Sequence, residues 1–245
     1  MSDPFSIFSY SKILTLLNSM HLSKIHTKQR TFSSILALGL GLAPAVIALS
    51  PLEPAWAQSP TSQQQLWQLL QQASQETKQG DSQQSIETLQ QALEIARQLQ
   101  DKRSQAEALL MIGFNFINLG QPLKALEYFN QALPVSHLVG NKLIEARILH
   151  NIGAVYVKRK QPQKGLTYYR QALTIWKSIG RQEDAANTLN NIAGIYSNID
   201  QPQKALEYYN QALSFLGLSS SRDLKATILA NIGLLYKSTG QPQKH

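Results

Sequence analysis

QPLKALEYFNQAL (residues 121–133), QPQKGLTYYRQAL (161–173) and QPQKALEYYNQAL (201–213) are one string written three times, 40 residues apart. A fourth start, QPQK, stands at Gln241, and one period before Gln121 lies Asp81, where DSQQSIETLQQAL is a degenerate copy. Self-similarity at a fixed period marks a stack of supersecondary units rather than a single globular core. Each of Pro122, Pro162 and Pro202 follows a Gln. Proline suits the first helical position, where its missing N–H would be unpaired anyway, so a helix is predicted to start at each. Ala205, Leu206, Tyr208, Tyr209, Ala212 and Leu213 then fall at i, i+1, i+3, i+4, i+7 and i+8, a single apolar stripe.

The rest of each unit is a second helical pattern, ILHNIGAVY at 148–156, TLNNIAGIY at 188–196 and ILANIGLLY at 228–236. The unit is therefore two antiparallel helices joined by a tight turn. Neither helix buries its stripe alone, so units must stack on their neighbours. Gly153 and Gly233 lie inside these helices, where Gly costs about 1 kcal/mol relative to Ala; close approach of the facing helix is the expected compensation. The tyrosine pairs 168–169 and 208–209 are assigned to the core.

At this level of detail the residues resemble a known family. Leu149, Ile152, Gly153, Tyr156, Gly165, Tyr169 and Ala172 occupy the spacing of the tetratricopeptide consensus, W-x2-L-G-x2-Y followed by A, F or Y, and A. Leu189, Ile192, Ala193, Tyr196, Ala205, Tyr209 and Ala212 repeat it, as do Leu109, Ile112, Gly113, Phe116, Ala125, Phe129 and Ala132. The resemblance spans residues 62–244. It implies an all-α fold, a tetratricopeptide-type α-solenoid in which antiparallel helix pairs wind into a right-handed superhelix. The period departs from the usual 34 residues, with the extra residues after the second helix. The family's terminal Pro is replaced by His137, Lys177 and Gly217. These features resemble the longer-repeat branch that includes kinesin light chains and spindle-orientation adaptors, whose grooves bind extended peptides. The wording of the repeats also resembles cyanobacterial proteins in which such arrays precede a caspase-like CHAT protease domain. A Cys–His dyad would need a cysteine, and this chain has none.

In that family the first helix of each pair lines the concave surface. The resemblance thus places a groove at Arg147, Asn151 and Lys158, at Asn187, Asn191 and Asn198, and at Thr227, Asn231 and Ser238. At 100° per residue these positions lie opposite the apolar Leu149, Ile152 and Tyr156 and their counterparts. A side-chain amide both donates and accepts, so a column of Asn suits the main chain of an extended peptide. Arg147 and Lys158 would favour an acidic partner. The expected partner is a protein or extended peptide, and no cofactor or metal is implied. His150 flanks the groove, where surface packing competes with ligand contact as its role.

Outside the repeats, a basic stretch with Lys24, Lys28 and Arg30 precedes an apolar run from Ile35 to Leu49, and Ala55-Trp56-Ala57 follows. This order is that of an export signal cleaved after Ala57. The run is shorter than the roughly 20 apolar residues a membrane span needs, so membrane contact is transient and the mature chain is expected in the periplasm or outside the cell. Removing residues 1–57 leaves 19 Lys/Arg against 13 Asp/Glu, a net charge of +6. The excess is scattered, and Lys158-Arg159-Lys160 stands where cations complement a helix C-terminus, so nucleic acid is not an expected partner. Without cysteine there is no disulfide, thiolate metal site or cysteine nucleophile, and His137, His150 and His245 lack metal-ligand spacing. No catalytic constellation is left.

The chain divides into a signal segment (1–57), a Gln-rich degenerate capping repeat (58–100) and the repeat array (101–245) with its last unit incomplete. The function expected is an exported interaction scaffold without catalysis, or alternatively the sensory region of a CHAT-type protease. Fraying and exposed apolar surface are expected over residues 224–245.

Overall fold

A computed structural model describes residues 61–217 and 221–239, all within one compact unit, Pro54–His245. The expected export signal lies outside the described residues, as do residues 240–245. The described elements are all helices: α1 Ser62–Gln79, α2 Ser82–Gln98, α3 Lys102–Asn118, α4 Pro122–Leu138, α5 Lys142–Lys158, α6 Pro162–Ser178, α7 Gln182–Asn198, α8 Pro202–Phe215 and α9 Arg222–Ser238. None of them is long and apolar enough to cross a membrane.

One turn, used repeatedly, sets the period. From α2 to α7 each helix runs for 17 residues and is followed by three more. The middle residue of each three is left-handed: Gln100, Gly120, Gly140, Lys160, Gly180 and Asp200, all with φ between 55° and 71°. Its successor donates back to the carbonyl five residues earlier, as Gln121 N–H does to Phe116 O (2.8 Å) and Arg181 N–H to Trp176 O (2.9 Å). This is the Schellman stop, which satisfies the last carbonyls and reverses the chain at once. The same third residue opens the next helix. Asp101 and Asn141 accept from the N–H groups of Ser104 (3.0 Å) and Ile144 (3.1 Å), whereas Gln121, Gln161 and Gln201 are each followed by Pro at the first helical position. Two such halves of 20 residues make the repeat of 40.

Successive helices pack as pairs, α1 with α2, α3 with α4, α5 with α6 and α7 with α8, while α9 leans on α7 and α8. The crossings are tight because small residues face rings. A Cβ on Gly113 would stand 2.5 Å from the Phe129 ring, and one on Gly153 2.9 Å from that of Tyr169. The close approach expected at Gly153 is present. His137 and Lys177 lie in the last turns of α4 and α6, which run on because no proline ends them there, and Gly217 lies beyond the end of α8.

One expectation needs adjusting. Tyr169 and Tyr209 are buried, but their neighbours Tyr168 and Tyr208 are only partly so. One residue of helix is a 100° rotation, which carries these rings out of the stripe. They stack instead on Tyr156 and Tyr196, at 5.4 and 5.2 Å, with Lys164 over Tyr156 and Lys204 over Tyr196. α9 is helical over 222–238. Apolar surface is present there, with Leu229 and Leu234 at 50% and 64% exposure.

The Gln-rich start is ordered as helix. Thr61 and Gln64 form a reciprocal cap at its entry, Thr61 N–H donating to Gln64 Oε1 (2.8 Å) and Gln64 N–H to Thr61 Oγ1 (3.3 Å).

Candidate partner-binding face

The first helices of consecutive pairs come together: α1 packs on α3, α3 on α5 and α7 on α9, whereas no second helices pack on one another to that extent. Away from the α5–α7 junction, which polar side chains join, the stack is thus tighter on the first-helix side, which makes that side the inner one. Residues recurring every 40 positions form columns along it. One runs Trp67, Glu107, Arg147, Asn187 and Thr227, and a second Gln71, Met111, Asn151, Asn191 and Asn231. Beside them run Leu70, Leu110, His150, Asn190 and Ala230, and finally Ser74, Phe114, Ala154, Gly194 and Leu234.

Of the residues expected to line a groove, Arg147, Asn151, Asn187, Asn191 and Asn231 are half-buried, and Lys158, Asn198, Thr227 and Ser238 are exposed. Two of these are turned back on their own helix: Thr227 Oγ1 donates to Asp223 O and Ser238 Oγ to Leu235 O, both at 2.8 Å. Asn187 and Asn191 are brought together, Asn191 Nδ2 lying 3.4 Å from Asn187 Oδ1. Asn231 reaches across to the preceding pair, its Nδ2 donating to Asn190 Oδ1 at 2.9 Å. Arg147 faces a countercharge within the protein. Burial raises the Glu107 carboxyl above its ordinary range, and Arg147, followed by Arg103, pulls it back down.

Sequence reasoning passed over Asn190 and left His150 as a bystander. The imidazole is in fact built into the face, with Nδ1 2.9 Å from Thr188 Oγ1, Nε2 3.3 Å from Asn191 Nδ2, and the ring 5.1 Å from that of Tyr169. Burial holds it well below the usual imidazole range, to about 4, with Asp184 pulling weakly the other way. A signal was available, since Thr188 is a fully buried hydroxyl where the matching residues are Ala108, Ile148 and Ile228.

A profile described as tetratricopeptide repeat matches residues 67–136 and 144–216. The chain belongs to the tetratricopeptide-repeat family. Among solved structures it is similar to BtubC (BKLC) from P. vanneervenii, with 18% identity, a TM-score of 0.61, and coverage of 74% of this chain and 85% of that one. Aspartyl phosphate phosphatase F from Bacillus subtilis matches with 16% identity and a TM-score of 0.64, over 73% of this chain and 46% of that one. A Rap protein complexed with competence and sporulation factor matches with 17% identity and a TM-score of 0.61, over 72% of this chain and 48% of that one. At these identities the likeness is one of fold, and this chain spans about half the length of the last two. No curated protein matches in sequence.

Within this tetratricopeptide array the inner face changes character along its length. Trp67, 42% exposed, stands at the α1 end with the half-buried Leu70, Met111 and Phe114 near it in the columns. From α5 onward the same columns hold His150, Asn151, Asn187, Asn190, Asn191 and Asn231. The expectation built on the asparagines covered the second half and left out the apolar first half.

Proposed function

We propose that this tetratricopeptide array is an exported, non-catalytic interaction scaffold that holds an extended peptide along its first-helix face. The amide column of Asn151, Asn191 and Asn231, three residues in one register on adjoining helices, carries the reading. Amides at a regular spacing match the regular donors and acceptors of a main chain and are indifferent to its side chains. The apolar end round Trp67 and Met111 supplies a place for one large apolar side chain, so the partner lies in one direction only. With Glu107 beside Arg147, acidity of the partner is no part of this reading. That a Rap protein of similar fold is complexed with competence and sporulation factor is consistent with it. Export rests on the charge and hydropathy order of residues 24–57.

The test is cross-linked capture from cell-envelope extract by the wild type and by an Asn151→Ala, Asn191→Ala, Asn231→Ala variant of unchanged helicity. A partner held by the first and lost from the second is the expected result; equal capture by both overturns the groove. Fractionation of the source cells checks export, which a cytoplasmic full-length chain would refute.

A further inference from the structure

The direction in which Asn191 presents its amide is decided by a chain of hydrogen bonds that begins at a backbone carbonyl. Thr188 Oγ1 gives its only proton to Asp184 O at 2.8 Å. Toward His150 Nδ1, 2.9 Å away, the hydroxyl can then only accept. Nδ1 therefore carries the ring proton and Nε2 is a bare lone pair. Asn191 Nδ2, 3.3 Å from Nε2 and 3.4 Å from Asn187 Oδ1, turns its protons to these two acceptors. Its carbonyl Oδ1 meets no donor among the described residues.

We propose that His150 is a positioning residue: while neutral it turns the Asn191 carbonyl to the inner face as an acceptor for a main-chain N–H, and protonation of its ring reverses that amide. The role deepens the peptide-binding reading and rests on it for its purpose, though not for its geometry. A protonated Nε2 is a donor facing an NH2 group. Rotation of the Asn191 amide by half a turn, with Asn187 turning its own NH2 to meet it, relieves the clash, setting Asn191 Oδ1 against Nε2–H and its NH2 toward the inner face. The arrangement belongs to this interface alone among the described pairs, because residues matching His150 are Leu70, Leu110, Asn190 and Ala230, and the positions matching Thr188 on the facing helices are Ala108, Ile148 and Ile228.

The ionisable groups round the ring come from three helices. From α7, Asp184 favours the proton but is held by Arg181, whose Nε lies 2.6 Å from its Oδ2. From α6, Tyr169 is neutral and buried, its phenol raised by that burial. On α5 itself, Arg147 lies one turn before His150, where it acts on the carboxyl of Glu107 of α3. Burial of the ring keeps it neutral at ordinary pH, in agreement with the geometry.

The test is a long-range ¹H–¹⁵N correlation spectrum of the full chain, following the His150 ring and the Asn191 side-chain amide as pH is lowered. The expected result at neutral pH is a protonated Nδ1 and a bare Nε2, with the Asn191 amide signals shifting on acidification at the same midpoint as the ring. Thr188→Val should abolish the preference for the Nδ1 proton, and Thr188→Ser should restore it. A proton on Nε2 at neutral pH, or Asn191 signals that ignore the ring, overturns the proposal without any variant having to fold. The failures separate cleanly. A coupled ring and amide with no partner lost from the triple-Asn variant refutes peptide binding alone, and the converse refutes only the positioning role.

Discussion

The joint that ties α3 to α1 and α2 and the joint between α5 and α7 solve one packing problem with polar groups in different places. In the first, Asn115 is fully buried beneath the helices, its Nδ2 within 3.0–3.1 Å of Thr77 Oγ1, Ser85 Oγ and Met111 O. The inner face above it carries the apolar Trp67, Leu70 and Met111 among Gln71, Ser74 and Glu107. In the second, the positions matching Asn115, Thr77 and Ser85 are Ile195, Val157 and Gly165, and the polar joint of His150, Thr188 and Asn191 lies at the inner face itself. A stacked fold thus specifies neighbours with a buried network in either place. Only the second placement leaves polar atoms for a partner.

Acid should separate the halves most. His150 has a folded pKa of about 4 against 6.5 for the free side chain, so the unfolded chain takes up the proton first. Its contribution to stability is full above pH 6.5 and is lost as pH falls toward about 4. The loss is of the order of 3 kcal/mol at about 1.4 kcal/mol per unit. Urea melts of wild type and His150→Leu between pH 7 and 4 check this, since the difference should grow on the wild type's side as loss. Parallel curves would show that the joint carries no titration.

The buried network can be exchanged for its counterpart. Asn115→Val alone strips Thr77 and Ser85 of a partner and should destabilise by about 1–3 kcal/mol, whereas Asn115→Val with Thr77→Val and Ser85→Ala should be nearly neutral or stabilising. A triple variant as damaged as the single one would mean that the two joints are not equivalent sites. Denaturant midpoints at constant slope give the comparison.

The smallest effect concerns turns common to both halves. Lys160, at φ 59°, holds a left-handed position that Gly120, Gly140 and Gly180 fill elsewhere. Lys160→Gly should stabilise by about 0.5–1 kcal/mol, since the penalty of a Cβ there exceeds the added freedom of the unfolded chain. A loss of thermal midpoint would show that the Lys side chain contributes to the turn.

The repeated strings were enough to determine the helices, their pairing and the period, because each depends on local chemistry: Pro at a first turn, a left-handed stop, an apolar stripe at 3.6 residues. Close packing was legible too, at Gly153, since a Gly inside a helix invites a facing ring. The columns of the inner face were legible as spacing alone. Tertiary structure decided that Tyr168 lies only partly buried at the edge of the core, that Arg147 acts on the Glu107 carboxyl, and that the lone His150 joins Thr188 and Asn191 about 40 residues away. A hydrogen bond depends on direction as well as on distance, and the direction of a side chain across two stacked units is fixed only when both helices are in place.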